Sequence, residues 1–316
     1  MKIIFLFVFT FIYVSFSNEK EEFFKPVIDE LLARGVDSSF VFNLINHQSI
    51  DFDERFVKIN VTGYLNKADY SQNYNDYSVI KSKKFLNKFN NILSKAELEY
   101  DVPKEVIASI IWIESKNGSY LGKNHILSVF LSTAMANQEK YINMNVEVFK
   151  EIYENDSKDL EKYISKVLMR AHKKSNWAID ELVALSKIDK TLPISIFNLE
   201  GSWAGAFGLS QFLPSSYLSW AVDGNNDGVI DLFNEEDAIF SVANYLKTNG
   251  WGQSNEQQRK AVFHYNNSND YVDAVLLLAD KIASKWNLKD TYITDTCFLE
   301  RNFNSFLWLT IYQCLV

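Results

Sequence analysis

GSWAGAFGLSQFLPSSYLSWAVDGNNDGVIDLFNEEDAIFSVANYLKTNGW, residues 201–251, joins two distinct patterns in one run. The first is a cluster of small residues: Gly201, Ser202, Ala204, Gly205, Ala206 and Gly208. Such residues leave backbone amides and carbonyls open to a ligand or to a closely packed helix, and both readings stand on these residues alone. Ser202 and Gln211 are the polar side chains best placed to hydrogen-bond a ligand, and Pro214 is suited to open a helix. The second pattern is DGNNDGVIDLFNEED, residues 223–237. Asp223, Asn225 and Asp227 fall at positions 1, 3 and 5 of an EF-hand loop, Gly228 at 6, the Val229 carbonyl at 7 and Asp231 at 9. Position 12 is Asn234 instead of Glu, so a closing carboxylate would have to come from Asp237 in a slightly longer loop. An Asx-rich turn in which Asp237 supports the next helix N-terminus is the alternative.

Upstream, EVIASIIWIESKNGSYLG (residues 105–122) reads as a helix with Val106, Ile107, Ile110, Ile111 and Ile113 at helical spacing. Glu114 shares that stripe, since it follows Ile110 by four residues and Ile111 by three. A carboxylic acid among isoleucines holds its proton better than one in water, because desolvation disfavours the charged form. That is what a general acid requires. The alternative is a helix-end Glu turned outward to solvent or paired with a Lys. Downstream, HYNNSNDYV (264–272) puts an aromatic beside amides, which suits a sugar subsite and equally suits ordinary helix caps.

The rest of the chain is read as helical. FKPVIDELLARG forms a helix stopped by Gly35, and SKKFLNKFNNILSKAELEY (82–100) one amphipathic helix. Asp101 is expected to cap the helix after it, with Pro103 in the first turn. Residues 135–190 hold further helical segments rich in Lys and Glu, and EQQRKAVFHYN and DYVDAVLLLADKIASKW form a last pair. RFVKINVTGY (55–64) is the one stretch that reads as a short strand. The fold class is therefore mainly α, with few strands.

With 316 residues, 47% of them hydrophobic and 23% charged, the chain is long and apolar enough for a substantial core. A net charge of -8 argues against a nucleic-acid partner and leaves a polysaccharide open, because sugars are bound mainly by stacking and hydrogen bonds. MKIIFLFVFTFIYVSFS begins with one Lys, runs apolar from Ile3 to Phe16 and ends with Ser15 and Ser17 at the positions signal peptidase prefers. Residues 1–17 are expected to be a cleaved signal peptide, the other reading being an uncleaved anchor. The run is shorter than the roughly 20 residues of a membrane span. No Cys follows it, so an exported, non-lipidated, periplasmic or secreted protein is expected. The two cysteines, Cys297 and Cys314, are open between a disulfide and two free thiols. The four histidines have no common ligand spacing, which disfavours a zinc site.

These pieces in this order resemble the B family of lytic murein transglycosylases, from about Lys88 to Trp286, with residues 201–251 the most specific part. The resemblance implies a lysozyme-like (goose-type) α-helical domain with an additional helical lobe and an EF-hand-like metal loop. It implies Glu114 as the catalytic acid, with Ser115 where the family has Thr, and Ser202, Gln211, Tyr245, Tyr265 and Asn266 as substrate-binding residues. Asp223, Asn225, Asp227, Val229 and Asp237 are implied as ligands of a structural Ca2+ or Na+, with no organic cofactor. The implied partner is peptidoglycan and the implied state a monomer without a stable membrane span. The implied reaction cleaves the bond from N-acetylmuramic acid to N-acetylglucosamine without water, giving 1,6-anhydromuramoyl ends. A lysozyme-like hydrolase on the same scaffold and a non-catalytic cell-wall binder are the rival expectations. The expected division is a signal at 1–17, an N-terminal lobe at 18–87, a catalytic domain at 88–290 and a tail at 291–316. Within the catalytic domain, the longer 135–198 segment departs from the family pattern.

Overall fold

A computed structural model describes residues 19–60, 69–152, 157–189 and 191–284. The expected signal peptide and the tail carrying Cys297 and Cys314 lie outside the described residues. The described residues fall into two compact units. One is drawn from Met1–Gly63, Gly122–Ala206 and Leu213–Leu218, the other from Tyr64–Leu121, Phe207–Phe212 and Ser219–Val316.

The first unit is built on helices. Helix α1 (residues 19–33) ends two residues before Gly35, whose φ of +78° permits the turn. Helix α2 (Ser38–Asn46) follows, its N-terminal amides at Ser39 and Phe40 capped by the Asp37 carboxylate. The core of this unit forms where α6 (Ile126–Ala134) lies along α8 (Ser157–Ile188), burying Leu127, Phe130, Leu131, Ala171, Ala178, Leu182 and Leu185. Trp177 meets Phe130 edge-on at 5.3 Å, and Ser175 donates to the Ala134 carbonyl at 2.6 Å. Helix α7 (Glu139–Ile152) packs on α8. Two-residue strands, β1 (Asn124–His125) and β2 (Glu200–Gly201), pair antiparallel and form the only sheet among the described residues.

RFVKINVTGY is not a strand over its described part. Glu54–Val57 is a 3-10 turn capped by Asp53, whose carboxylate accepts from the Arg55 amide at 2.9 Å and also holds the Arg55 guanidinium. Beyond it, side chains take the place of a partner strand. Asn145 accepts from the Ile59 amide at 2.7 Å and donates to the Val57 carbonyl at 3.0 Å, and Lys174 donates to the Lys58 carbonyl at 3.0 Å. Period-two hydrophobicity thus reports alternate burial here, with helices α7 and α8 satisfying the backbone.

In the second unit α5 (Lys104–Ser115) is the central helix, and every residue from Val106 to Ser115 is buried. A helix apolar on nearly all sides must be enclosed, and α3, α4, α10 and α12 pack around it. Residues 82–100 do not form one helix: α3 (Asp76–Lys88) and α4 (Asn90–Tyr100) are separated by Phe89 at φ −107°, ψ 22°. Asn90 and Asn91 are weak helix formers, and the break lets Phe85 and Leu93 both turn inward. Asp101 does not cap α5 either. It ends α4 in the left-handed region, at φ 56°, and α5 starts after Pro103, its first amide, that of Lys104, donating to the Glu97 carboxylate at 3.3 Å. A short polar side chain tolerates that conformation, so the residue serves the earlier helix. Helix α9 (Pro214–Trp220), most of which falls in the first unit, begins at the expected proline. The second unit continues with α10 (Glu235–Thr248), α11 (Asn255–Tyr265) and α12 (Asn269–Ala283).

Candidate active site

Glu114 lies in the last turn of α5, 8% exposed, facing inward as the apolar stripe requires. The buried phenol of Tyr271, on α12, donates to its Oε1 at 2.6 Å. Burial pushes the Glu114 carboxyl up to about 7, against the pull of the Tyr271 hydroxyl and the Lys116 ammonium, which both favour the ionised form. An acid held near 7 can both give and recover a proton at neutral pH. The helix ends immediately after it. Lys116, Asn117 and Gly118 take φ of 51°, 56° and 85°, and the Gly118 amide donates to the Ser115 hydroxyl at 3.1 Å.

The other second-unit candidates gather with Tyr271. Tyr265, at the end of α11, stacks nearly parallel to Tyr271 with ring centres 6.4 Å apart and meets Tyr245 of α10 at 4.7 Å. Both candidate tyrosines are held through their hydroxyls. Tyr265 donates to the Ser210 carbonyl at 2.6 Å, and Tyr245 donates to the His264 carbonyl at 2.7 Å. Gln211 follows Ser210 with φ of 49°, in a turn closed by paired hydrogen bonds between Phe207 and Phe212. Its amide donates back to the Gly208 carbonyl at 2.9 Å. Asn266 is buried at the end of α11.

Ser202 belongs to the first unit. Its hydroxyl accepts from the Ala206 amide at 3.1 Å, and its own amide donates to the Ala206 carbonyl at 2.7 Å. The small residues around it answer to the protein's own packing. A Cβ on Gly205, at φ +86°, would lie 2.1 Å from the Phe130 ring, and one on Gly201 would lie 2.2 Å from the Ala206 carbonyl oxygen.

The 223–237 loop is stitched by its own carboxylates. Asp223 accepts from the amides of Asp227 (3.1 Å) and Gly228 (2.8 Å), and Asp227 from that of Val229 (2.9 Å). Asn225 accepts from the Asp227 amide at 2.9 Å. Asp237, fully buried in the first turn of α10, accepts from the amides of Gly224 (2.9 Å) and Asp231 (2.6 Å). Asn234 instead caps α10, its side chain accepting from the Glu236 amide, so position 12 is occupied by helix capping. Burial and the Asp223 charge hold the Asp237 carboxyl above its ordinary range. The loop's side-chain donors are oxygens, the type a hard cation takes, and in this arrangement the carboxylates are engaged with backbone amides. Among the described residues, no group of three or more His, Cys, Asp or Glu side chains is gathered closely enough to hold a metal.

Tyr271 is the residue that sequence reading missed. It sits on the apolar stripe of α12 with Val275, Leu278 and Ile282, and reads there as a core aromatic. Its signal is that a fully buried tyrosine needs a partner for its hydroxyl.

Residues 19–262 match the transglycosylase SLT domain family. Over 167 residues the chain is 36% identical to the membrane-bound lytic murein transglycosylase B of Escherichia coli K12, covering 53% of this chain and 37% of that protein. It therefore spans little more than a third of that relative's length. The fold is similar to that of the Escherichia coli lytic transglycosylase SLT35, solved in complex with calcium, at 22% identity and a TM-score of 0.62, covering 82% of this chain and 92% of that one. It is also similar to SltB3 from Pseudomonas aeruginosa in complex with NAG-NAM-pentapeptide, at 20% identity and a TM-score of 0.61, over 86% and 83% of the two chains. Matched over more than three quarters of its length, the chain belongs to the transglycosylase SLT domain family.

Proposed function

We propose that this protein is a lytic murein transglycosylase, and the observation that carries the reading is the buried Glu114 with Tyr271 on its Oε1. Glu114 enters the reaction protonated and gives its proton to the oxygen joining N-acetylmuramic acid to N-acetylglucosamine. As the C1–O bond breaks, the substrate's own acetamido group takes up the positive charge at C1. The Tyr271 hydroxyl stabilises the Glu114 carboxylate left behind. That carboxylate then removes the proton from the C6 hydroxyl, whose oxygen bonds to C1. The product is a 1,6-anhydromuramoyl end, Glu114 is protonated again, and no water is consumed. One carboxyl serves both halves of the cycle, so the paired carboxylates of ordinary glycosidases are not needed.

Gln211, Tyr245, Tyr265 and Asn266 form the glycan-binding set. The phenols of the two tyrosines are engaged with backbone carbonyls, so what they offer a sugar is the wall they build and the Ser210–Gln211 turn they brace. Asp223, Asn225, Asp227, the Val229 carbonyl and Asp237 would hold a structural Ca2+, as the calcium complex of SLT35 encourages. The chain acts outside the cytoplasmic membrane as a monomer on peptidoglycan, and no helix among the described residues is long and apolar enough to cross a membrane.

The test is digestion of murein sacculi with the protein and with Glu114→Gln, followed by mass spectrometry of the products. Anhydro-ended products from the unaltered protein alone are expected. Reducing ends, heavier by one water, would make it a hydrolase. No products from either protein would favour a cell-wall binder.

A further inference from the structure

Two residues beyond Glu114, a lysine is folded back into the protein. Lys116 closes α5 in the left-handed region, φ 51°, and lies half-buried with its ammonium turned onto the helix it ends. Nζ donates to the carbonyls of Trp112 (3.2 Å) and Ile113 (3.3 Å) and to Asn73 Oδ1 (2.7 Å), and stands 5.2 Å from the centre of the Trp112 ring. A solvated lysine at a helix end would save the desolvation this position imposes. Burial draws the ammonium down to about 8, against the opposing attraction of Glu114. The neighbouring acid has the reverse difficulty. It is buried, and it lies at the C-terminal end of a helix, where the partial negative charge of the carbonyls disfavours a second negative charge. Both effects push its proton on more tightly, and a residue that must act as acid and then as base is slowed if the proton cannot leave.

We propose that Lys116 is a positioning residue for the reaction: tied to the C-terminal carbonyls of α5, its ammonium supplies the positive field that lets Glu114 release its proton. This rests on the reading of Glu114 as acid and base. The other titratable groups around the pair do not supply that charge. Tyr271 of α12 and Tyr265 of α11 are buried, with their phenols held well above the ordinary range. Tyr70 meets the Tyr271 ring edge-on, and Tyr245 of α10 meets Tyr265. On α3, Tyr77 lies against the Trp112 ring with the Lys81 ammonium over its own face. Lys281 of α12 donates to the Tyr74 carbonyl at 2.9 Å, and Glu97 of α4 accepts from the Lys104 amide at the opposite end of α5.

The experiment is a carbon-13 NMR titration of the glutamate carboxyls without substrate, with the Glu114 signal assigned by its loss in Glu114→Gln. Lys116→Met makes the same backbone demand without the charge, and Lys116→Arg keeps the charge. The Glu114 midpoint is expected to rise by about half a pH unit or more in Lys116→Met and to return towards the original value in Lys116→Arg. Asn73→Ala, which removes one of the three acceptors that hold the ammonium in place, provides a second route should Lys116→Met not fold, with a smaller rise expected. An unchanged midpoint in the folded variants overturns the proposal, because a lysine that only capped the helix would alter stability and leave the titration in place. A raised midpoint in a protein that releases no glycan would sustain the coupling and defeat the transglycosylase reading. An active protein with an unmoved midpoint would do the opposite.

Discussion

The Tyr271 hydroxyl reaches Oε1 of Glu114 at 2.6 Å, joining the two helices, α12 and α5, that pack together at the centre of the second unit. The bond favours the ionised form of the acid and fixes its rotamer. Tyr271→Phe keeps the ring, which lies between Tyr70 and Tyr265, and removes only the hydroxyl. A hydrogen bond to a charged group contributes roughly 1.5–3 kcal/mol. The rate of anhydro-product release is therefore expected to fall by about tenfold or more, with the protein still folded. The Glu114 proton should also become harder to remove, moving the alkaline limb of the pH profile upward. An unchanged rate would mean that the hydroxyl serves packing alone.

The same acid makes stability depend on pH. Folded Glu114 holds its proton up to about pH 7, whereas its ordinary value is 4.5. Between these values the folded chain binds a proton that the unfolded chain has released, so stability falls as pH rises through this window. Glu114→Gln removes that penalty. Relative to the unaltered protein, its stability is expected to improve by up to roughly 3 kcal/mol from below pH 4.5 to above pH 7. Urea unfolding at the two ends of the window measures it, and an equal difference at both ends would contradict the raised acid.

Gly205 offers a test of packing independent of the acid. Its φ of +86° already disfavours a side chain, and a Cβ there would lie 2.1 Å from the Phe130 ring, itself against Trp177 in the core of the first unit. Gly205→Ala must displace Phe130 or deform the Ser202–Ala206 turn. A loss of about 2–4 kcal/mol is expected, visible as a lower Tm. A neutral effect would show that the turn relaxes freely.

Much of this architecture is legible in the sequence, because burial writes itself as period. The central helix, the turn after it and the proline opening α9 follow from apolar spacing, glycine and proline. What escapes is decided by partners distant in sequence. Residues 55–60 carry strand-like alternation, but Asn145 and Lys174 complete their backbone hydrogen bonds, and no pattern within the segment announces that. Asp101 stands between two helices and suits either end, and its left-handed conformation assigns it to α4. Within the site, Glu114 is visible because a carboxylate on an apolar stripe violates a rule. Tyr271 is hidden because a tyrosine there obeys one.

The 223–237 loop yields the last prediction. Its carboxylates accept backbone amides, and Asp237 is buried near the charge of Asp223. A cation would relieve that repulsion while the carboxylates keep the loop's shape. Ca2+ is therefore expected to raise the Tm, with a stabilisation of about 2.7 kcal/mol at one hundred times the dissociation constant. Asp227→Asn separates ion binding from loop folding. The Asp227 side chain is exposed and accepts from the Val229 amide, which an asparagine oxygen can also do. In the presence of a chelator the variant should unfold within about 0.5 kcal/mol of the unaltered protein, yet lose most of the calcium-dependent gain. Identical melting of the unaltered protein with Ca2+ and with chelator would remove the metal from the account and leave Asp237 as the anchor of a self-sufficient turn.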